Sequence, residues 1–309
     1  MSLDARRSTV AVIGLGNLGL AMATNLAARG WNVSGLDSSA SRMALLREAG
    51  GSATAPDRLH GFDALCFVVP DDSAIREVLT GTPALLTRLG PEQIVLVHST
   101  VLPARVRDLA GLVKRTGAGF LDVPVSGGAE RAGRGELTVF AGGDEEDLRT
   151  AAALLDAVGR EVFHLGPVGA GAATKLANQL VMFGALSSLY EALTLTEANG
   201  VAESDVLRAL ATGTADTWVG RNWGFFDRTA DDYNRAGVPQ ESRPWRKDLE
   251  EIAVAARDSD LELPLAELIR VTVADEVESR AAEYRSKQDS GHAPDPRPGP
   301  GRTSNRNET

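Results

Sequence analysis

Val10-Ala11-Val12-Ile13-Gly14-Leu15-Gly16-Asn17-Leu18-Gly19 decides the fold of the N-terminal half of this chain. The β-branched run at its start predicts a buried strand, and residues 18–29 carry a helical pattern. Between them Gly14, Gly16 and Gly19 have the spacing G-x-G-x-x-G. In that setting each glycine has a separate task. Gly14 permits a tight turn, Gly16 lets the backbone approach a pyrophosphate, and Gly19 lets the helix pack close to the strand. The N–H groups that open the helix would face the phosphates. A second strand over 32–36 ends at Asp37, at roughly the 20-residue distance where an acidic side chain meets the adenosine ribose. The stretch therefore predicts a dinucleotide site, and a glycine-rich turn without a ligand is the alternative. A carboxylate at 37 accepts from ribose hydroxyls and repels a 2′-phosphate, while Ser38, Ser39 and Ala40 bring no cation. NAD is therefore expected over NADP, with Arg42 the nearest cation that could reverse the preference.

Outward from this stretch, short apolar runs recur at 64–69, 94–98, 119–123, 137–142 and 161–164, separated by helical or loop segments. The alternation predicts an α/β architecture with a largely parallel, doubly wound sheet. At Gly166-Pro167-Val168-Gly169-Ala170-Gly171 the pattern changes. A long helix is predicted over 172–199, followed by helices over 203–211, 218–227, 245–259 and 264–282, which makes an all-α C-terminal domain. The expected organisation is a dinucleotide-binding domain over 1–168, an all-α domain over 169–285 and a disordered tail over 286–309. That last stretch is rich in Pro, Gly, Arg and Asn and lacks an apolar anchor.

The 309 residues are 43% hydrophobic, enough for two cores, and the net charge is -10. That charge argues against a nucleic-acid surface or a basic membrane patch. Nothing approaches the roughly 18 uninterrupted apolar residues of a membrane span. The single cysteine, Cys66, sits in a strand-like run, where a buried thiol is expected. His60, His98, His164 and His292 have no carboxylate or cysteine at ligand spacing, so no metal is expected. These readings together lead to the expectation of a soluble cytoplasmic protein.

Three further segments can carry chemistry. Ser126-Gly127-Gly128 follows a strand, and such a turn can offer successive backbone N–H groups and a hydroxyl to a carboxylate, although its composition also suits a plain loop. Lys175, Asn178 and Gln179 lie three and four positions apart in the first turns of the long helix, so they share a face. A lysine in an apolar helix either reaches out to water or serves, partly desolvated, as a general base. Lys247-Asp248-Leu249 opens a later helix and by itself suits a solvated charge pair.

Taken in order, these segments resemble the β-hydroxyacid dehydrogenase family, which includes 3-hydroxyisobutyrate dehydrogenase, tartronate semialdehyde reductase and, more distantly, 6-phosphogluconate dehydrogenase. The resemblance covers about residues 10–265. It rests on the glycine loop, Ser99-Thr100, Asp122-Val123-Pro124-Val125-Ser126-Gly127-Gly128, Gly169-Ala170-Gly171 with Lys175-Leu176-Ala177-Asn178-Gln179, and Lys247-Asp248-Leu249. It implies a Rossmann domain joined by the long helix to an all-α domain, a site in the interdomain cleft, and a homodimer or homotetramer. It also implies oxidation of a small anionic β-hydroxyacid. Lys175 matches the catalytic lysine, and Asn178 an asparagine that bonds the reacting hydroxyl. Ser126, Gly127 and Gly128 match the carboxylate turn. Gly14, Leu15, Gly16, Asn17, Leu18, Gly19, Asp37, Val69, Pro70 and Thr100 match cofactor contacts, and Lys247 a lysine near the nicotinamide.

The sequence departs from the family pattern at Gln179, where some relatives have asparagine, at Ala74 and at His98. The segment 212–244 matches no subfamily, and Arg131, Arg221 and Arg243 leave room for a second anionic group on the substrate. Two rival readings share the fold: an NADPH-dependent imine reductase, and a non-catalytic cofactor-sensing or protein-binding module. Both tend to replace the lysine that this chain keeps at 175.

Overall fold

Hydrophobic strands enclosed on both faces build the first part of the molecule. Along β1 (Thr9–Ile13), Val10 and Val12 join one apolar cluster while Ala11 and Ile13 join another on the opposite face. Burial on both sides is what a parallel sheet requires of its strands. In the computed structural model, which describes residues 2–289, β1 is followed by β2 (Asn32–Leu36), β3 (Ser52–Ala53), β4 (Ala64–Phe67), β5 (Ile94–Val97) and β6 (Gly119–Asp122). These six pair in parallel in the order β3-β2-β1-β4-β5-β6. The winding direction reverses between β1 and β4, so the carboxyl ends of those strands flank a topological switch point, where ligands of such sheets bind.

Helices α1 (Asn17–Ala28), α2 (Ala40–Glu48), α3 (Asp72–Thr80), α4 (Pro103–Lys114), α5 (Gly128–Arg134) and α6 (Glu145–Val158) connect the strands. The sheet changes character after β6. Pro124, which has no N–H to give a ladder, separates β6 from the two-residue β7 (Val125–Ser126). The longer β8 (Leu137–Gly143) runs antiparallel to both, and β9 (Gly159–His164) runs parallel to β8. The doubly wound parallel expectation therefore holds for the first six strands and ends there. The short β3 and β7 carry no apolar run of their own and were not expected.

The remaining helices are α7 (Ala170–Glu197), α8 (Glu203–Leu210), α9 (Trp218–Arg221), α10 (Phe225–Arg235), α11 (Pro244–Asp258) and α12 (Pro264–Asp289). Among the described residues two compact units result: residues 2–180 with Glu251–Glu262, and Val181–Glu250 with residues 263–289. This division falls inside α7, whose first turn is bonded to the sheet through Asp122. One helix expected over 218–227 is two, since Gly224 takes a left-handed backbone (φ 78°) between α9 and α10. α12 continues to Asp289, so residues 286–289 of the expected tail are helical, and residues 290–309 lie outside the described residues.

The second unit has its own aromatic core. Phe226 meets Phe183 at 5.7 Å and the fully buried Trp245 at 6.2 Å between ring centres. Arg280 lies over both Trp223 (4.8 Å) and Tyr190 (5.3 Å). From the segment 212–244, which matches no subfamily, Trp223 and Phe226 thus serve packing within this unit.

Candidate active site

The glycine loop follows from backbone crowding. A Cβ at Gly14 would lie 2.3 Å from the Val68 carbonyl oxygen, and one at Gly19 would lie 2.0 Å from the Gly14 oxygen. At Gly16, by contrast, an added Cβ meets nothing within 4 Å. Strand and helix therefore close tightly around 14 and 19, and the space over 16 stays open where a phosphate would lie. α1 begins at Asn17, one residue earlier than its apolar pattern suggested. Leu15 is fully buried, while Leu18 packs against the core of the sheet.

Asp37 stands at the end of β2 and builds the loop. Its Oδ2 accepts from the Leu15 N–H at 2.6 Å, and its Oδ1 from the Ser39 N–H at 2.7 Å. Each carboxylate oxygen has a further lone pair for a ribose hydroxyl. Arg42 reaches the same place, donating from Nη2 to Asn17 Oδ1 at 3.0 Å. The strand order, the open ground over Gly16 and this carboxylate fit a dinucleotide.

The ends of β4 and β5 meet the loop. Ser99 Oγ accepts from the Val69 N–H at 2.9 Å, which ties the loop holding Val69 and exposed Pro70 to the loop holding half-buried Thr100. His98, the residue that departs from the family pattern, is buried with Nδ1 3.0 Å from the Val123 oxygen. Burial pulls its pKa down to about 4, so it is neutral and joins β5 to the end of β6.

Asp122 at the end of β6 is wholly buried. Its Oδ1 accepts from the Gly169 N–H and its Oδ2 from the Ala172 N–H, both at 2.8 Å. Burial raises its pKa to about 6 against the lowering effect of those backbone donors. Four residues on, Ser126, Gly127 and Gly128 form a half-buried turn into α5. Gly127 sits at φ 135°, and a Cβ there would press on Arg131 and Leu137 at 3.1 Å. The turn thus bends as only glycine allows, and the N–H groups opening a helix have no partners within it.

On α7, Lys175 is 9% exposed, and its Nζ donates to Gln179 Oε1 at 2.9 Å. Asn178 Nδ2 donates to the same oxygen at 3.0 Å. One amide carbonyl therefore holds both residues, and Gln179, 5% exposed and expected on the same helix face, is the group that joins them. The i, i+4 spacing carried that signal. Local sequence marks no role for Asp122, because the N–H groups it accepts from lie 47 and 50 residues away.

Lys247 lies in the second unit on α11, with Nζ 3.7 Å from Asp248 Oδ1. Two of the arginines expected to leave room for a second anion are engaged within that unit. Arg243 is buried and donates to both oxygens of Glu278 at 2.7 Å and to Asn234 and Val238. Arg221 pairs with Asp216. Among the described residues, no group of three or more His, Cys, Asp or Glu could hold a metal, and no helix is long and apolar enough to cross a membrane.

Comparison with known proteins matches residues 9–166 to the NAD binding domain of 6-phosphogluconate dehydrogenase, and residues 169–290 to the NAD-binding model of NADP-dependent 3-hydroxyisobutyrate dehydrogenase. A Pseudomonas aeruginosa NAD-dependent L-serine dehydrogenase is 35% identical over 212 residues, 68% of this chain and 71% of that protein. An Escherichia coli L-threonate dehydrogenase is 31% identical over 265 residues, 83% of this chain and 85% of that protein. The crystal structure of a Salmonella typhimurium 3-hydroxyisobutyrate dehydrogenase aligns with a TM-score of 0.70 at 25% identity, covering 93% of this chain and 96% of that one. The fold, the NAD(P)-binding loop and these relatives together place the chain in the β-hydroxyacid dehydrogenase family of NAD(P)-dependent oxidoreductases, to which it belongs.

Proposed function

We propose that the protein oxidises a small anionic β-hydroxyacid with NAD, using Lys175 as general base. The observation that carries this reading is the buried Lys175, bonded to Gln179 together with Asn178 on a helix whose start is tied to the strand leading into the Ser126 turn. The Ser126-Gly127-Gly128 turn receives the substrate carboxylate on its backbone N–H groups and the serine hydroxyl. Lys175 takes the proton of the substrate hydroxyl, and in the reductive direction returns one. Asn178 orients the oxygen and stabilises charge gathering on it. A nicotinamide, when bound, accepts or donates the hydride. Gly14 to Gly19 and Asp37 hold the dinucleotide, with Val69, Pro70 and Thr100 beside it, and Lys247 is assigned near the nicotinamide from the resemblance. Asp37 favours NAD.

The test is NADH formation with L-serine, L-threonate and 3-hydroxyisobutyrate, in the parent and in Lys175→Ala. Turnover of at least one hydroxyacid is expected, with kcat lowered about 10³-fold in the variant. Near-normal turnover by Lys175→Ala would leave the lysine a packing residue. An imine-reducing activity gains no support while the lysine is present.

We further infer a homo-oligomer. Leu265, Leu268 and Val271 recur every three residues along α12 and are 56%, 57% and 59% exposed, which leaves an apolar stripe for a second copy. Light scattering at micromolar concentration should give a multiple of 32.5 kDa, and a monomer mass would refute it. Cys66, buried as a thiol, suits a cytoplasmic location.

A further inference from the structure

A side chain from elsewhere in the fold holds the start of α7. Gly169, just before the helix, has no side chain to cap it, and Asp122 supplies the cap from the end of β6. Both carboxylate oxygens are committed, one to the Gly169 N–H and one to the Ala172 N–H, each at 2.8 Å. A buried carboxylate is unfavourable unless donors meet it, and a helix N-terminus supplies donors and a favourable dipole together. The surrounding glycines leave this arrangement little slack. A Cβ on Gly171 would lie 2.3 Å from the Phe140 oxygen and 2.7 Å from the Asp122 oxygen. A Cβ on Gly142 would lie 2.6 Å from Asp122 Oδ1. The first turn of α7 therefore rests backbone on backbone against β6 and β8.

Two functional groups leave this junction in different directions. Lys175 is three residues past Ala172, about 4.5 Å along the helix axis. Ser126 is four residues past Asp122, within about 14 Å of chain. We propose that Asp122 is a positioning residue, whose carboxylate fixes where Lys175 stands relative to the carboxylate-binding turn. The proposal rests on the reading of Lys175 as base. A catalytic group displaced by about 1 Å can lose about 10² in rate, so a modest slip of α7 has a measurable effect.

Asp122→Asn keeps the side-chain shape but turns one acceptor into a donor facing an N–H. The expected result, with the fastest of the three hydroxyacids, is a kcat at least thirtyfold lower and an NADH Kd within threefold of the parent. The solvent deuterium isotope effect on kcat should rise, because proton transfer to a displaced lysine becomes slower. Hydrogen exchange should quicken at least tenfold over residues 169–175 and stay unchanged over 14–19. A kcat within threefold of the parent, a parallel loss of NADH binding, an unmoved isotope effect or unchanged exchange over 169–175 would each overturn the proposal. Should Asp122→Asn fail to fold, Asp122→Ser shortens the side chain and leaves one acceptor for two N–H donors, with the same expectations. Lys175→Ala run alongside separates the two readings. Turnover retained there defeats the base assignment, whereas an inactive Lys175→Ala beside a normal Asp122→Asn defeats only the role of Asp122.

Discussion

Asp37 combines a structural task in its loop with the cofactor role proposed for it. Its expected task is to receive the adenosine ribose and repel a 2′-phosphate. The same carboxylate also accepts the Leu15 and Ser39 N–H groups, so it shapes the loop proposed to hold the dinucleotide. Removing it should therefore do more than relax selectivity. In Asp37→Ala, kcat/KM with NAD should fall at least tenfold, because a charge-assisted hydrogen bond is worth roughly 1.5–3 kcal/mol and about 1.4 kcal/mol is tenfold. The NADP value should change less, so the preference narrows mainly by loss. Arg42, bonded to Asn17 at the same loop, is the cation from which any residual NADP use would come. Steady-state kinetics with both cofactors checks this, and a parent enzyme that favours NADP would reject the assignment of Asp37.

At the scale of elements, α1 and α7 are the two helices that carry the proposed site, and they differ in how far sequence reveals their placement. The docking of α1 is written locally: a β-branched strand, three glycines and a helix lie within consecutive residues, and their contacts follow from backbone bulk. Gly19→Ala should destabilise the protein by about 1–3 kcal/mol, since its Cβ would run into the Gly14 oxygen and lever α1 off β1. Urea unfolding measures this, and an unchanged midpoint would contradict the packing described. The face of α7 was likewise legible, because Lys175, Asn178 and Gln179 share it by helical period alone. What anchors that helix was not, since Asp122 lies far upstream and nothing in its local sequence marks it as a cap. The same limit explains Arg243, whose partner Glu278 is 35 residues on, and which sequence alone offered as a substrate contact. The break at Gly224 was missed because apolar spacing continues across it.

Across the whole molecule, two buried groups at neighbouring strand ends give stability opposite dependences on pH. His98 is lowered from an ordinary 6.5 to about 4, so the unfolded chain binds its proton more readily, and stability is lost as pH falls through that window. Asp122 is raised from an ordinary 3.8 to about 6, so the folded chain binds its proton more readily, and stability is lost as pH rises through nearly the same window. Each contribution is about 3 kcal/mol at about 1.36 kcal/mol per unit, and the two largely offset. Relative to the parent, Asp122→Asn should gain stability as pH rises from 4 to 6, and His98→Gln should lose it, in urea unfolding at several pH values. Variants that run parallel to the parent across that range would show that neither group titrates as described.

The unequal crowding in the glycine loop has a consequence for sequence space. Positions 14 and 19 are restricted by the protein's own atoms, whereas position 16 has a negative φ (-59°) and empty surroundings. A library randomised at all three and sorted first for folding should keep glycine at 14 and 19 while admitting alanine or serine at 16. A second sort on immobilised cofactor should purge those residues from 16 and leave the other two positions as they were. The difference between the two sorts would map, residue by residue, which part of the loop the fold demands and which part the dinucleotide alone demands.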